Sequence, residues 1–268
     1  MTDFPVLEEV VPLRVAAEVV PHPRAVPDEQ AIAIVCNGTT LGVMMATPAD
    51  LIDFGRGFLF SEGIIGRLED IERSEIVKHA QGLEIRHWIA ETKALAMLTR
   101  RRQMMGPTGC GLCGIESLEQ AIRTLPVVET RMDVHAADLH RAMGGLRDLQ
   151  LLNARTRAVH AAALWLPERG HVLIREDVGR HNALDKAIGA MLGGDMDTGV
   201  LLLTSRISIE LVQKAAMAGL PIVAAISVPT LRAIRTAHDA GITLVGVARD
   251  DSFEIFTHPQ RIKSDRPC

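Results

Sequence analysis

The second half of the chain alternates two kinds of segment, and this alternation restricts the fold more than any other feature of the 268 residues. HVLIRED (171–177) precedes an amphipathic stretch from about Asn182 to Leu192, GVLLLTS (199–205) one from about Ser208 to Ala218, and PIVAAIS (221–227) one from Pro229 to Ala240. ITLVGVA (242–248) and SFEIFTH (252–258) close the series. Apolar runs of strand length need cover on both faces, and the helical segments between them can supply it. The pattern predicts an α/β region with a mostly parallel, doubly covered sheet.

Polar residues gather where these strands end. Glu176, Asp177, Arg180 and His181 follow the first, Ser205 and Arg206 the second, Ser227 and Thr230 the third, and Arg249 and Asp250 the fourth. Open α/β sheets bind ligands at this edge, and arginine forks suit phosphate oxygens. In REDVGRHNALDKAIGAML the residues Ala183, Leu184, Ala187, Ile188 and Met191 form one apolar helix face. Asp177, Arg180 and His181 are therefore expected to project from a loop at a helix N-terminus, where an anion can be held. A salt-bridged turn without function is the competing reading.

The first half reads as α+β. AIAIVCNGTTLGVMMATP (31–48) sets two β-rich runs around Asn37-Gly38, a dipeptide suited to a tight hairpin. After Pro48, Leu51, Ile52, Phe54, Phe58 and Leu59 recur near helical spacing up to Gly63. Two shorter β-like pieces, EIVKHA and LEIRHWIA, follow around Gly82. Three regions result: an extension over 1–30, an α+β region over 31–135, and an α/β region over 136–268.

GPTGCGLCGIES (106–117) places Cys110 and Cys113 two residues apart among glycines. Ile115, Leu118, Ile122 and Leu125 then step at helical spacing, so a helix N-terminus is expected beside the thiols, which lowers a thiol pKa. Three chemistries compete for the pair. A structural zinc site wants four ligands, and the chain offers one such pair. Thioredoxin-like redox work expects the pair within a βαβ pattern, whereas these thiols lie mid-chain. The third is a nucleophile that accepts sulfur as a persulfide, with the second thiol available for thiol and disulfide exchange. Cys36 and Cys268 are isolated, and four cysteines are too few for a disulfide framework.

His160 stands on the small apolar run VHAAALW, as a core histidine or as a ligand. His-Ala matches the start of the zinc deaminase His-x-Glu signature, but position 162 is Ala, so the general acid and base is missing. With 47% hydrophobic residues the chain can bury a large core, and a net charge of -4 argues against a dedicated nucleic-acid binder. No secretory start or apolar run long enough for a span is evident, so a cytoplasmic protein without membrane contact is expected.

TGCGLCG, VHAAA, EDVGRHNALDK, TSRISIELVQKAAMAG, ITLVGVAR and THPQR, in this order, resemble the formate dehydrogenase accessory sulfurtransferase family (FdhD type) over about Ala31 to Ile262. The resemblance implies a cytidine deaminase-like three-layer fold for the C-terminal half and a homodimer. It implies a carrier that takes persulfide sulfur from a cysteine desulfurase and passes it to the bis(molybdopterin guanine dinucleotide) molybdenum cofactor, bound as substrate, for the catalytic subunit of formate dehydrogenase. By motif, Cys110 is the persulfide cysteine and Cys113 its companion, and Val247, Ala248, Arg249, Asp250, Asp251 and Ser252 form the cofactor-binding segment. One departure stands out: many members carry Gly-Gly where this chain has Arg157-Ala158. A zinc deaminase-like hydrolase using His160, Cys110 and Cys113, and a chaperone that binds the cofactor without transferring sulfur, are the alternatives.

Overall fold

The computed structural model describes residues 4–90, 124–194, 198–249 and 252–264. The N-terminal extension forms two small antiparallel ribbons. β1 (Leu7–Val10) pairs with β4 (Arg24–Pro27), and β2 (Leu13–Val15) with β3 (Val19–Pro21). Next, β5 (Gln30–Cys36) and β6 (Thr39–Ala46) make the expected hairpin. Its turn places Asn37 and Gly38 at φ 46° and 73°, the left-handed pair that suits the strand twist. β7 (Ile71–His79) and β8 (Gly82–Ile89) complete a sheet of order β6-β5-β8-β7. Helix α1 (Leu51–Ser61) covers one face, burying Leu51, Phe54, Phe58 and Leu59 against Ile32, Ile34 and Ile85.

The second half holds a six-stranded sheet of order β11-β10-β12-β13-β14-β15. Its strands are β10 (His160–Leu166), β11 (Gly170–Asp177), β12 (Val200–Leu203), β13 (Ile222–Ala225), β14 (Thr243–Arg249) and β15 (Ser252–Thr257). A further short pair, β9 (Val134–His135) with β16 (Ile262–Lys263), lies outside it. Helices α2 (Ala136–Leu149) and α3 (Leu151–Thr156) precede the sheet. Helices α4 (Arg180–Leu192), α5 (Ile209–Met217) and α6 (Leu231–Asp239) alternate with its strands, close to the expected bounds.

Double cover holds. Leu184, Leu211 and Ala233 from α4 to α6 pack on one face, and Leu139, Ala142 and Leu146 from α2 on the other. The expectation of a mostly parallel sheet does not. Only β12 with β13 and β13 with β14 run parallel. β10 inserts between β11 and β12, antiparallel to both, and β15 returns antiparallel to β14. The short turn at Gly170, φ 75°, folds β11 back on β10 before any crossover can form, so the run after it becomes an edge strand.

The two halves meet at α1 and α4. Gly57 and Gly189 face each other there, and a Cβ on Gly57 would lie 1.7 Å from the Asp185 carbonyl oxygen, one on Gly189 1.8 Å from that of Asp53. Only glycine permits so close a crossing. Arg175 on β11 adds two hydrogen bonds to the Asp53 carboxylate, at 3.1 and 2.7 Å. Among the described residues no helix is long and apolar enough to cross a membrane.

Candidate functional site

Strand register brings the polar residues to one edge. His160 pairs with Asp177, Ala162 with Leu203, Leu203 with Ala225, and Ala224 with Val245. The start of β10, the end of β11 and the C-terminal ends of β12, β13 and β14 are therefore level with one another. Helices α4, α5 and α6 begin here, after Gly179, Ser208 and Thr230. Each helix start carries partial positive charge on unpaired backbone N–H groups, so the edge favours anions. The Thr230 side chain accepts from Ala233 N at 3.2 Å and fixes the start of α6.

Arg180, Arg206 and Arg249 stand at this edge without an ion pair among the described residues. The Arg180 Nε is buried with no hydrogen-bond partner among the described residues. Arg249 donates from Nε to the Ile226 carbonyl at 2.8 Å, a tether that leaves its terminal nitrogens without a hydrogen-bond partner among the described residues. Three cations beside three helix starts suit a ligand bearing phosphates.

The EDVGRHNALDK block divides in two. Asp177 does not project from the loop: it is fully buried, its carboxylate 2.6 Å from the equally buried Lys186 ammonium. It also accepts from Thr47 N at 3.0 Å, Gly179 N at 2.7 Å and Asn182 Nδ2 at 2.9 Å. Lys186 donates to the Thr47 carbonyl at 2.8 Å, and Asn182 to that of Met45 at 2.9 Å. A buried charge needs a partner and full hydrogen bonding, and here the first half of the chain supplies both. Next to Lys186 on α4, Asp185 meets Lys214 at 2.8 Å, and Lys214 donates to Ser61 Oγ at 2.9 Å, a second staple to the first half. Periodicity did not single out these staples. One signal was present: Asn182 and Lys186, four apart, share a helix face and so can meet one partner.

The edge itself keeps Arg180, His181 and His160. His160 is half-buried; burial first, then the Arg180 charge, lower its pKa, with Asp177 pulling the other way, so the surroundings favour the uncharged imidazole. His181 Nε2 lies 3.9 Å from Glu210 Oε2, an electrostatic contact too long for a hydrogen bond. For Glu210, burial opposes the charge, but His181 and Ser208 beside it hold the carboxyl down to about 2. Glu210 and Ser208, passed over in the sequence, are thus part of the edge.

Other candidates have structural roles. Thr204 Oγ1 accepts from Ala161 N at 2.8 Å, and Ser205 donates to the Arg206 carbonyl at 3.1 Å. Both Glu176 oxygens accept from the start of α3, Leu152 N and Asn153 N, at 2.8 Å each. Arg157 ends α3 at φ 57°, the left-handed conformation that glycine adopts at no steric cost, so the missing glycine is a backbone matter here. In the segment 247–252, expected from the resemblance to bind the cofactor, Ala248 is buried, Arg249 and Ser252 are exposed, and Val247 lies at φ 53°. Asp250, Asp251, Cys110, Cys113 and Cys268 lie outside the described residues. Cys36 is a free thiol in the core, pushed up to about 12 by burial, and so chemically inert.

The model of the FdhD/NarQ family matches residues 27–263. The chain is 49% identical over 242 residues to a protein named sulfur carrier protein FdhD from Agrobacterium fabrum, covering 89% of each. It is 44% identical over 251 residues to the protein of that name from Cupriavidus necator, covering 92% of this chain and 87% of the relative. The crystal structure of a candidate formate dehydrogenase accessory protein from Desulfotalea psychrophila superposes with a TM-score of 0.77 at 26% identity, over 97% of this chain and 100% of the other. The chain belongs to the FdhD/NarQ family.

Proposed function

We propose that this member of the FdhD/NarQ family is a cytoplasmic sulfur carrier for formate dehydrogenase. Its acceptor would be the bis(molybdopterin guanine dinucleotide) molybdenum cofactor. The observation that carries the cofactor half of this reading is the sheet edge, where Arg180, Arg206 and Arg249 lack carboxylate partners among the described residues and three helices begin. A dinucleotide brings diphosphates, and these need such donors.

In the first step the Cys110 thiolate attacks the outer sulfur of a desulfurase persulfide. A sulfur–sulfur bond forms on Cys110, the donor's sulfur–sulfur bond breaks, and the desulfurase thiolate leaves. In delivery the outer sulfur departs as sulfide toward molybdenum. Cys113 attacks the inner sulfur, so the two thiols supply two electrons and end as a disulfide, which a dithiol reductant reopens. The edge holds the acceptor by its phosphates during delivery. Partners on this reading are a cysteine desulfurase, the formate dehydrogenase catalytic subunit and a second copy of the chain.

Mass spectrometry of the Cys110 and Cys113 peptides, after incubation with a cysteine desulfurase and cysteine, tests this. One added sulfur on Cys110 is expected; none on either peptide rejects sulfur transfer. Cys110→Ala should retain cofactor binding yet fail to restore formate dehydrogenase in cells lacking the native protein. Full restoration would favour a cofactor-binding chaperone instead.

A further inference from the structure

Near the sheet edge β14 holds one residue more than its neighbour: Gly246 pairs with Glu254 and Arg249 with Ser252, three steps against two. Val247 absorbs the extra residue at φ 53°. That region is uncommon for any side chain but glycine, and an outlier for a β-branched one. Val247 is only half-buried, so the need to bury its side chain does not explain the conformation.

The consequence falls on Arg249. Leu244 packs with Ala233 and Ala237 of α6, while Val245 packs with Leu139 and Ala142 of α2, on the opposite face. Plain alternation through Val247 would carry Arg249 to the α2 face. With Val247 out of the alternation, Ala248 takes the α2 face, where it is buried, and Arg249 shares the face of Gly246. That face is the one toward Ser227 and Pro229, which a Cβ on Gly246 would meet at 3.1 and 2.8 Å. Arg249 accordingly reaches the Ile226 carbonyl at 2.8 Å, beside the start of α6. One-residue bulges re-aim side chains in this way.

We infer that Val247 is a positioning residue: its left-handed backbone turns Arg249 onto the helix-bearing face and presents the guanidinium fork to a diphosphate group of the ligand. The inference rests on the cofactor-binding reading of the edge, and guanosine diphosphate is the probe, since it carries the guanine and diphosphate of that cofactor.

Binding is measured by titration calorimetry on the full chain. Arg249→Ala should weaken guanosine diphosphate about tenfold or more, the loss of charge-assisted contacts. Val247→Gly, which adopts the same φ freely, should leave affinity unchanged and raise the thermal midpoint. Val247→Pro cannot adopt a positive φ; it should weaken binding as much as Arg249→Ala, and the double variant no more than either. Deleting Val247 restores plain alternation with Arg249 on the same face, and should retain affinity. Additive losses in the double variant, or normal binding by folded Val247→Pro, would overturn the inference. If Val247→Pro does not fold, the deletion decides: retained affinity supports the inference, and a folded deletion variant that has lost binding refutes it. Absence of binding to the unmodified protein would overturn the reading of the edge as well.

Discussion

Replacing Asp177 by Asn should destabilise the protein by about 4 kcal/mol, near the middle of the 3–5 kcal/mol range for breaking a buried ion pair from one side. The geometry explains why the value should not be smaller. Each carboxylate oxygen accepts two donors: Thr47 N and the Lys186 ammonium on one, Gly179 N and Asn182 Nδ2 on the other. An amide presents its NH₂ to one of these pairs whichever way it turns, so donors face a donor. Lys186, fully buried, loses its counter-charge and keeps the Thr47 carbonyl at 2.8 Å as a neutral acceptor. Lys186→Met should cost less, about 3 kcal/mol, because Asp177 keeps three N–H donors. The double variant should cost less than the sum of the two, with a coupling of roughly 1–3 kcal/mol, as expected for groups in direct contact. Urea unfolding at neutral pH, followed by circular dichroism, measures all three. A cost below about 0.5 kcal/mol for Asp177→Asn, within the usual scatter of surface substitutions, would show that the staple between the halves is not what the geometry implies. Strict additivity would show the same.

Three further outcomes follow from local geometry. Burial, aided by the Arg56 charge, lowers His87 to about 4, so its neutral form stabilises the fold fully above the unfolded value and this contribution fades as pH falls toward 4. Unfolding free energy should drop by about 3 kcal/mol between pH 7 and pH 4 through this group, and His87→Gln should remove that slope in urea titrations at the two pH values. Gly189→Ala must part α1 and α4 to lift its Cβ from 1.8 Å to the 3.4 Å of ordinary contact; the overpacking cost, about 1–3 kcal/mol or more, should outweigh the helix-propensity gain of about 1 kcal/mol and lower the thermal midpoint. Arg157→Gly relieves the left-handed conformation at the end of α3 and should raise stability by about 0.5 kcal/mol, the strain released less the entropy that glycine adds to the unfolded chain; a loss in the same urea assay would refute this.

Much of the fold and part of the site were legible in local pattern. The Asn37-Gly38 hairpin, the helix after Pro48 and the three helices of the second half depend on turn chemistry and apolar spacing, which neighbouring residues carry by themselves. The same spacing placed Arg206, Ser227 and Arg249 at strand ends, because a strand's end is visible wherever an apolar run stops. The motifs of EDVGRHNALDK and TGCGLCG identified the family, since they demand particular residue types in a particular order.

Tertiary structure alone decided the rest. Whether Asp177 projects into solvent or lies buried against Lys186 depends on Thr47, 130 residues away, whose backbone supplies a donor to one and an acceptor to the other. The insertion of β10 between β11 and β12 depends on which strand edges compete for hydrogen bonds, a choice among partners distant in sequence. Val247 reads as an ordinary strand residue, and its left-handed backbone accompanies a register in which β14 takes three steps where β15 takes two. Local periodicity is a property of neighbours along the chain. Burial of charge, strand order and register are properties of contacts between distant segments, and these exist only once those segments have packed together.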